Sequence, residues 1–147
     1  MPSPIRGLVN VVGRVFLCAI FLLSAVGNKI PNFRAVEGVM RTQGVPVPSV
    51  SLAGAIVFLI VGGLSVILGF RARVGAGLLL IFLLLATFYF HNFWAYSGEA
   101  RQNQMIQFLK NLGLMGAMLM IVANGSGPMS LDSLVSRSPK PLAEDVR

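Results

Sequence analysis

Four long apolar runs, separated by short polar segments, constrain this chain more than any other feature. They cover about residues 8–27, 52–70, 74–96 and 104–123. A helix of about 20 residues rises about 30 Å, which is the thickness of a bilayer's hydrocarbon core. Backbone N–H and C=O groups in lipid must bond within their own segment, so each run should be helical. The sequence therefore predicts an all-α membrane protein, a single-domain bundle of four transmembrane helices.

The composition agrees with a membrane protein and excludes an ordinary soluble domain. Hydrophobic residues make up 55% of the chain and charged residues 12%, whereas a soluble domain has about a quarter charged residues. The net charge is +7, but the basic residues lie mainly between the apolar runs, where anionic lipid headgroups are the expected partners. We therefore predict contact with the lipid bilayer and no binding of nucleic acid.

The first run has a second interpretation. Arg6 and Arg14 precede a short apolar stretch, and small residues lie near Gly27. This pattern is also typical of a cleaved signal peptide. Because nothing after residue 27 has the composition of a secreted domain, we favour a first membrane helix.

The segments between the runs differ in length. Residues 71–73 form a minimal joint, so the second and third helices are predicted to be an antiparallel hairpin, and residues 97–103 form another short loop. Residues 28–51 form a longer connection. The polar segment 124–147, rich in Pro, Ser and charge, is predicted to be a flexible C-terminal tail.

The long connection contains a short amphipathic pattern. Phe33, Val36 and Met40 fall on one helical face, and Glu37 and Arg41 form a favourable i, i+4 pair on the other. Gly and Pro residues follow this piece. We predict a short interfacial helix between helices 1 and 2.

The basic residues give a prediction of topology. Four helices place both termini and the 71–73 joint on one side of the membrane. The side with more Lys and Arg is the cytoplasmic one, which predicts that both termini are cytoplasmic. Six basic residues lie on the terminal side and four on the other: Arg6, Arg71, Arg73, Arg137, Lys140 and Arg147 against Lys29, Arg34, Arg41 and Arg101.

Small residues within the runs predict where the helices pack. Gly62 and Gly69 lie a heptad apart on the second helix, and Gly113 and Ala117 form a small-xxx-small pair on the fourth. Cys18, the only cysteine, is predicted to be a small core residue. One cysteine and one histidine cannot form a disulfide or a protein-only metal site, so we predict no intrinsic metal.

The third run ends in FYFHNFW, residues 88–94, which contains the only histidine of the chain. His91 should lie about 8 Å inside the third helix, and Lys110 and Asn111 about 9–10 Å inside the fourth. Five polar residues then share one level of one leaflet: His91, Asn92, Gln107, Lys110 and Asn111. Ser24 lies near this level on the first helix, with Asn28 and Lys29 just above it.

Polar side chains at this depth must pair with one another, with water or with a ligand. They could form a buried hydrogen-bond network that joins the third and fourth helices. Lys110 could instead extend to the lipid headgroups. The third interpretation is a binding site for the polar headgroup of an apolar molecule, and the aromatic residues around His91 fit all three.

Arg14 stands apart, about 9 Å inside the opposite face of the membrane. A buried arginine needs an anion. Asp132, which follows the fourth helix on that side, is the predicted partner in a structural ion pair, and a lipid phosphate is the alternative.

Several segments, in order along the chain, resemble one family of membrane proteins. They are GRVFLCAIFLLSAVGNK, GVPVP, GFRARVGAGLLLIFLLLATFYFHNFW and QMIQFLKNLGLMGAMLMIVANGSGPMSLD. Over about residues 7–132 the chain resembles the DoxX family of small four-helix integral membrane proteins. The chain departs from the family pattern at Gly116-Ala117, where relatives often have Gly-Gly. The residues that match the family's signature positions are Arg14, Lys29, His91, Asn92, Lys110, Asn111 and Asp132.

The resemblance implies a function and a location. Founding DoxX relatives are membrane subunits of a thiosulfate:quinone oxidoreductase, others accompany thiol-handling or quinone-detoxifying systems, and a distant eukaryotic branch comprises endoplasmic-reticulum cargo receptors. We therefore expect a membrane subunit of a quinone-linked oxidoreductase complex, more than an enzyme by itself, in a bacterial inner membrane. The expected partners are other membrane or redox subunits.

A quinone is the expected cofactor, because its carbonyl oxygens accept hydrogen bonds that the polar residues near His91 can donate. The chain has no haem motif and no flavin fingerprint, so a partner would carry any other redox cofactor. Two alternatives remain. The chain could be a non-catalytic accessory subunit that packs on a larger membrane complex, or a carrier of lipids or hydrophobic small molecules.

Overall fold

The computed structural model describes residues 3–135 and forms a helical bundle with no strand in that range. The α-helices in the described range are α1 (Ser3–Ser24), α2 (Phe33–Thr42), α3 (Pro48–Leu68), α4 (Ala72–Phe90), α5 (Gly98–Asn124) and α6 (Leu131–Val135). A π-helical turn, Ala25–Lys29, continues α1, and a 3₁₀ turn, Phe93–Ala95, follows α4.

Four helical segments within the described range are long and apolar enough to cross a membrane, which confirms the predicted fold class. They are Pro4–Lys29, Pro48–Leu68, Ala72–Ala95 and Gly98–Asn124. Three start four to six residues earlier than the apolar runs, because the helices also include polar and small residues that precede those runs. The short helix between the first two membrane helices is α2, and its Glu37–Arg41 pair forms at 3.0 Å.

The bundle follows the chain: α3 packs on α1, α4 on α3 and α5 on α4. Large apolar side chains also cover the outside of the bundle, as lipid contact requires; Phe16 is 76% exposed and Met120 67%. Cys18 is buried, as predicted. The core consists of Cys18, Phe21, Ala25, Leu59, Val66, Ala76, Leu79, Leu83 and Met118.

The backbones of α3 and α4 approach each other closely at two glycines. A Cβ atom at Gly62 would lie 2.9 Å from the carbonyl oxygen of Gly75, and one at Gly75 would lie equally close to the carbonyl of Gly62. The predicted role of Gly62 in packing is therefore confirmed. Gly113 differs, because a Cβ there would meet nothing within 4 Å, so its face of α5 is open.

The C-terminal segment closes the end of the bundle at which α3 turns into α4. Arg71, the N-cap residue of α4, has a φ of 48°, and its own side chain does not cap the helix. The Asp132 carboxylate caps this helix instead, accepting the backbone N–H groups of Arg71 at 2.9 Å and Ala72 at 3.2 Å. Asp132 also donates its backbone N–H to Gly69 at 2.8 Å. Residues 125–135 are thus bound to the bundle rather than free, which differs from the predicted flexible tail; residues 136–147 lie outside the described range.

Arg14 is held at the same end. It is 4% exposed, and its Nη2 donates to the Met129 carbonyl oxygen at 2.7 Å. Its Nε and Nη1 have no hydrogen-bond partner among residues 3–135, and Asp132 is near enough to act on it electrostatically. The C-terminal segment therefore provides Arg14 with an acceptor, while a direct Arg14–Asp132 bond stays a prediction.

Candidate functional site

A cavity of about 930 Å³ lies at the opposite end of the bundle, where α2 packs. Its wall is mostly apolar and comes from α1, α2, α3, α4 and α5. Small-molecule sites measure about 300–1,000 Å³ and combine apolar walls with a few polar groups, so the cavity has the size and lining of a ligand site. Its polar wall residues are Ser24, Asn28, Lys29, Asn32, Ser51, Tyr89, His91, Lys110 and Asn111.

Helix α2 forms one wall of the cavity and is tied to α3. Val36 and Met40, two residues of the predicted apolar face, line the cavity. On the other face, the Glu37 carboxylate accepts the Ser49 hydroxyl at 2.7 Å and the Arg41 guanidinium at 3.0 Å. The Ser49 hydrogen bond, with Arg41 beside it, lowers the pKa of Glu37 below its usual value. Glu37 therefore stays ionised and links α2 to the start of α3.

His91 lies at the end of α4, not inside it. The predicted third helix runs to Tyr96, but the regular α-helix ends at Phe90. The chain then turns because the rings of Phe93 and Trp94 pack edge-on against Phe108 of α5, with centroids 5.3 and 6.3 Å apart. The predicted depth of 8 Å for His91 is therefore too large. Its Nδ1 lies 2.9 Å from Oε1 of Gln104 on α5.

Lys110 and Asn111 of α5 both line the cavity, but their environments differ. Asn111 is 8% exposed and donates its amide to the Thr87 hydroxyl of α4 at 2.9 Å. Lys110 is exposed, and its ammonium donates to Gln107 one turn earlier. Asn111 is therefore part of the helix interface, whereas Lys110 is at the open edge of the cavity.

Three of the five predicted site residues, His91, Lys110 and Asn111, line this cavity. Gln107 binds Lys110 but is not part of the wall. Asn92 lines a separate cavity of about 190 Å³, and its Oδ1 is buried without a partner in the described range. The turn after Phe90 causes this separation, because it directs residue 92 away from the axis of α4.

Two hydrogen bonds join α4 to α5, as the first interpretation of these polar residues predicts. They are His91–Gln104 and Thr87–Asn111. Lys110 is exposed, which agrees with the second interpretation as well. The third interpretation, ligand binding, is compatible with the first, since a helix interface and a cavity can share the same residues.

Sequence reasoning placed Lys29 just above the site but did not include it. The ammonium donates to the Ser24 hydroxyl at 2.6 Å and lies 5.5 Å from the centre of the Phe82 ring. The π-helical turn explains this position, because its i, i+5 hydrogen bonds bring residues 24 and 29 onto one side of the helix. The signal in the sequence was a lysine directly after an apolar run, at nearly the level of His91.

Comparison with known proteins identifies the family. The DoxX family model matches residues 9–92, more than half of the chain. The chain belongs to the DoxX family. This confirms the resemblance seen in the sequence motifs and, with the four spanning helices, makes this DoxX protein an integral membrane protein.

Two relatives, both from Escherichia coli (strain K12), match this DoxX protein over most of their length. "Inner membrane protein YphA" is 28% identical over 127 residues, which cover 86% of this chain and 90% of the relative. "Inner membrane protein YqjF" is 30% identical over 126 residues, covering 86% and 91%. No solved structure matches the chain. Within residues 3–135, no group of three or more His, Cys, Asp and Glu residues is placed to hold a metal ion.

Proposed function

We propose that this DoxX protein is the membrane subunit of a quinone-linked oxidoreductase complex in a bacterial inner membrane, and that its large cavity receives the quinone headgroup. One observation carries the proposal. A cavity of about 930 Å³ with largely apolar walls contains hydrogen-bond donors from α1, α4 and α5. The two E. coli relatives named above are inner membrane proteins by name, which supports the proposed location.

The residues present fit a quinone. Quinone carbonyl oxygens accept hydrogen bonds, and the wall offers the ammonium groups of Lys29 and Lys110 and the imidazole of His91. The apolar residues of the wall, such as Phe21, Phe58 and Leu114, suit the ring and the isoprenoid tail. A bound quinone would supply two-electron redox chemistry, and a partner subunit would deliver or remove the electrons.

The cavity also favours a second candidate, a carrier for lipids or other hydrophobic small molecules. Exposed residues such as Ile20 and Leu85 belong to its wall, so a ligand tail could enter directly from the bilayer. A carrier would bind its ligand without a redox partner. An accessory subunit would instead have a partner and no ligand.

Quinone binding by the purified protein tests the proposal. In detergent micelles, we expect calorimetry to detect binding of a short-tail ubiquinone or menaquinone analogue. We expect His91→Ala to weaken it about tenfold, because a hydrogen bond lost in an apolar site costs on the order of 1–2 kcal/mol. Gln102→Ala is the matched control, since Gln102 is an exposed residue at the same end of α5 and should leave the affinity unchanged.

Purification from gently solubilised membranes tests the complex. We expect redox subunits to co-purify with the tagged chain.

The outcomes of the two experiments separate the candidate functions. Unaltered quinone affinity in His91→Ala, or no quinone binding at all, would contradict the proposed quinone site. Quinone or lipid binding by a chain that co-purifies with no redox subunit would favour the carrier.

A further inference from the structure

The charged groups of the large cavity all have one sign. Lys29 and Lys110 line it, and no aspartate or glutamate in the described range belongs to its wall. The acidic residues of that range lie elsewhere: Glu37 binds Ser49 and Arg41, Glu99 is in the first turn of α5, and Asp132 caps α4 at the opposite end. The cavity is therefore a positive site within apolar walls.

Lys29 is the more enclosed of the two cations. It is partly buried, whereas Lys110 is exposed and already donates to Gln107. The Ser24 hydroxyl uses one of the three N–H donors of Lys29. The Phe82 ring, 5.5 Å away, provides weak electrostatic stabilisation. Since Lys29 lines the cavity, its other two N–H donors can bind a ligand there.

Neutral partners balance a cation poorly in apolar surroundings. A buried charge is retained when it is paired with an opposite charge or strongly hydrogen-bonded. A hydroxyl and a ring face supply only part of this, and the protein offers no carboxylate in the cavity. A ligand with a negative oxygen would complete the site, and its bond to the ammonium would be stronger than that of a neutral carbonyl.

We propose that Lys29 makes this cavity selective for amphiphiles with an anionic oxygen in the headgroup, such as an ionised hydroxyquinone. The inference rests on the cavity being the ligand site of the proposed function and narrows its ligand class. A lipid phosphate carries the same kind of oxygen, so the test must separate the two sources.

Matched ligand pairs test the charge preference in the wild-type protein. The first pair is a 3-alkyl-2-hydroxy-1,4-naphthoquinone, ionised at neutral pH, and its neutral 2-methoxy analogue. The second is lysophosphatidate, which is anionic, and a monoacylglycerol with the same acyl chain, which has no phosphate and no charge. We expect calorimetry in neutral detergent to give at least tenfold tighter binding of the hydroxyquinone than of its methoxy analogue. A preference only within the lipid pair would assign the site to lipid phosphate.

Substitutions assign the preference to Lys29. In Lys29→Met, the affinities for the hydroxyquinone and its methoxy analogue should become equal. Lys29→Arg should keep the wild-type ratio of the two affinities, because the positive charge remains. Arg101→Met removes an exposed cation at the same end of the molecule and controls for a general loss of positive surface charge; it should leave the ratio unchanged.

The two proposals can fail separately. Equal binding of the hydroxy and methoxy quinones by the wild-type protein would overturn the charge selectivity while leaving quinone binding intact. Binding of lysophosphatidate without either quinone would overturn the quinone function and leave the anion site. The wild-type comparison needs no folded variant, and a ratio that survives in Lys29→Met would refute the role of Lys29.

Discussion

Asn111 illustrates why single polar side chains occur inside this apolar bundle. Its amide donates to the Thr87 hydroxyl at 2.9 Å, and both residues are buried. In lipid, the separated helices would leave both groups without water, so the bond favours the α4–α5 pairing. Asn111 also lines the cavity, so the same bond fixes the position of a wall residue.

We expect Asn111→Leu to destabilise the bundle by about 1 kcal/mol, because interhelical hydrogen bonds in membranes contribute about 0.6 kcal/mol on average and up to about 1.7. The measurement is the free energy of unfolding in mixed micelles titrated with dodecyl sulfate. The double variant Thr87→Val/Asn111→Leu should lose less than the sum of the single variants. Strict additivity would contradict the bond.

Glu37 gives a pH-dependent prediction. Its pKa is lower in the folded protein than in the unfolded chain, so the ionised form stabilises α2 docking above the usual value of 4.5. This contribution is lost as the pH falls below that value and through the folded-state pKa. We expect hydrogen exchange of the α2 amides, corrected for intrinsic rates, to speed up over that interval.

The controls for this prediction are two amide substitutions. Glu37→Gln should exchange faster at neutral pH and lose the pH response. Glu99→Gln, which removes an exposed carboxyl in the first turn of α5, should keep it. A pH response in Glu37→Gln equal to that of the wild-type protein would exclude Glu37 as its source.

The helices pack according to the size of the residues between them. Gly62 and Gly75 let the α3 and α4 backbones meet within the hairpin. Gly113, on an open face of α5, has no such neighbour. Two glycines in similar apolar sequences thus have opposite structural roles.

We expect Gly62→Ala to destabilise the protein by about 1–3 kcal/mol, the usual cost of overpacking, because the added methyl would lie 2.9 Å from a backbone oxygen. Gly113→Ala is the matched control and should be neutral or stabilising by about 0.5–1 kcal/mol, since alanine favours a helix. The midpoint of thermal unfolding in detergent measures both. Equal effects would show that α3 and α4 do not meet at Gly62.

How much the sequence reveals depends on the kind of signal. The four membrane helices follow from the length of the apolar runs, which bilayer thickness and backbone bonding require. Helix α2 follows from its amphipathic periodicity. The end of α4 at Phe90 was missed, because the turn depends on contacts of Phe93 and Trp94 with Phe108 on another helix. The sequence does not predict Lys29 as a site residue for a similar reason: the direction of its side chain depends on a π-helical turn that the apolar pattern does not indicate.

The two ends of the whole molecule differ in construction. At one end, the Met129 carbonyl accepts a hydrogen bond from Arg14, and the Asp132 carboxylate caps α4. The C-terminal segment therefore covers this end of the bundle. At the other end, α2 covers a cavity with exposed edges. The N-terminal end of α1, the α3–α4 joint and the C-terminal segment lie together, as an even number of membrane helices requires.

We expect the closed end to face the cytoplasm, since the sequence assigns six basic residues to the side of the termini and the 71–73 joint and four to the other side. Single cysteines introduced into a Cys18→Ala background, Arg73→Cys at the closed end and Arg101→Cys at the cavity end, test this orientation. A membrane-impermeant maleimide added to intact spheroplasts should label Arg101→Cys and leave Arg73→Cys unlabelled until the cells are opened. The reverse labelling would invert the topology.

The cap that Asp132 places on α4 sets an order for biogenesis. The start of α4 is synthesised some 60 residues before its capping carboxylate, and Arg14 enters the bilayer well before the Met129 carbonyl exists. Until translation is nearly complete, a charged guanidinium and the first amides of a membrane helix must rely on water, lipid or the insertion machinery. A ribosome stalled before residue 129 would therefore hold a chain whose four membrane helices have all been synthesised. The contacts of Met129 and Asp132 with Arg14 and α4, on the cytoplasmic side in the proposed orientation, would not yet have formed.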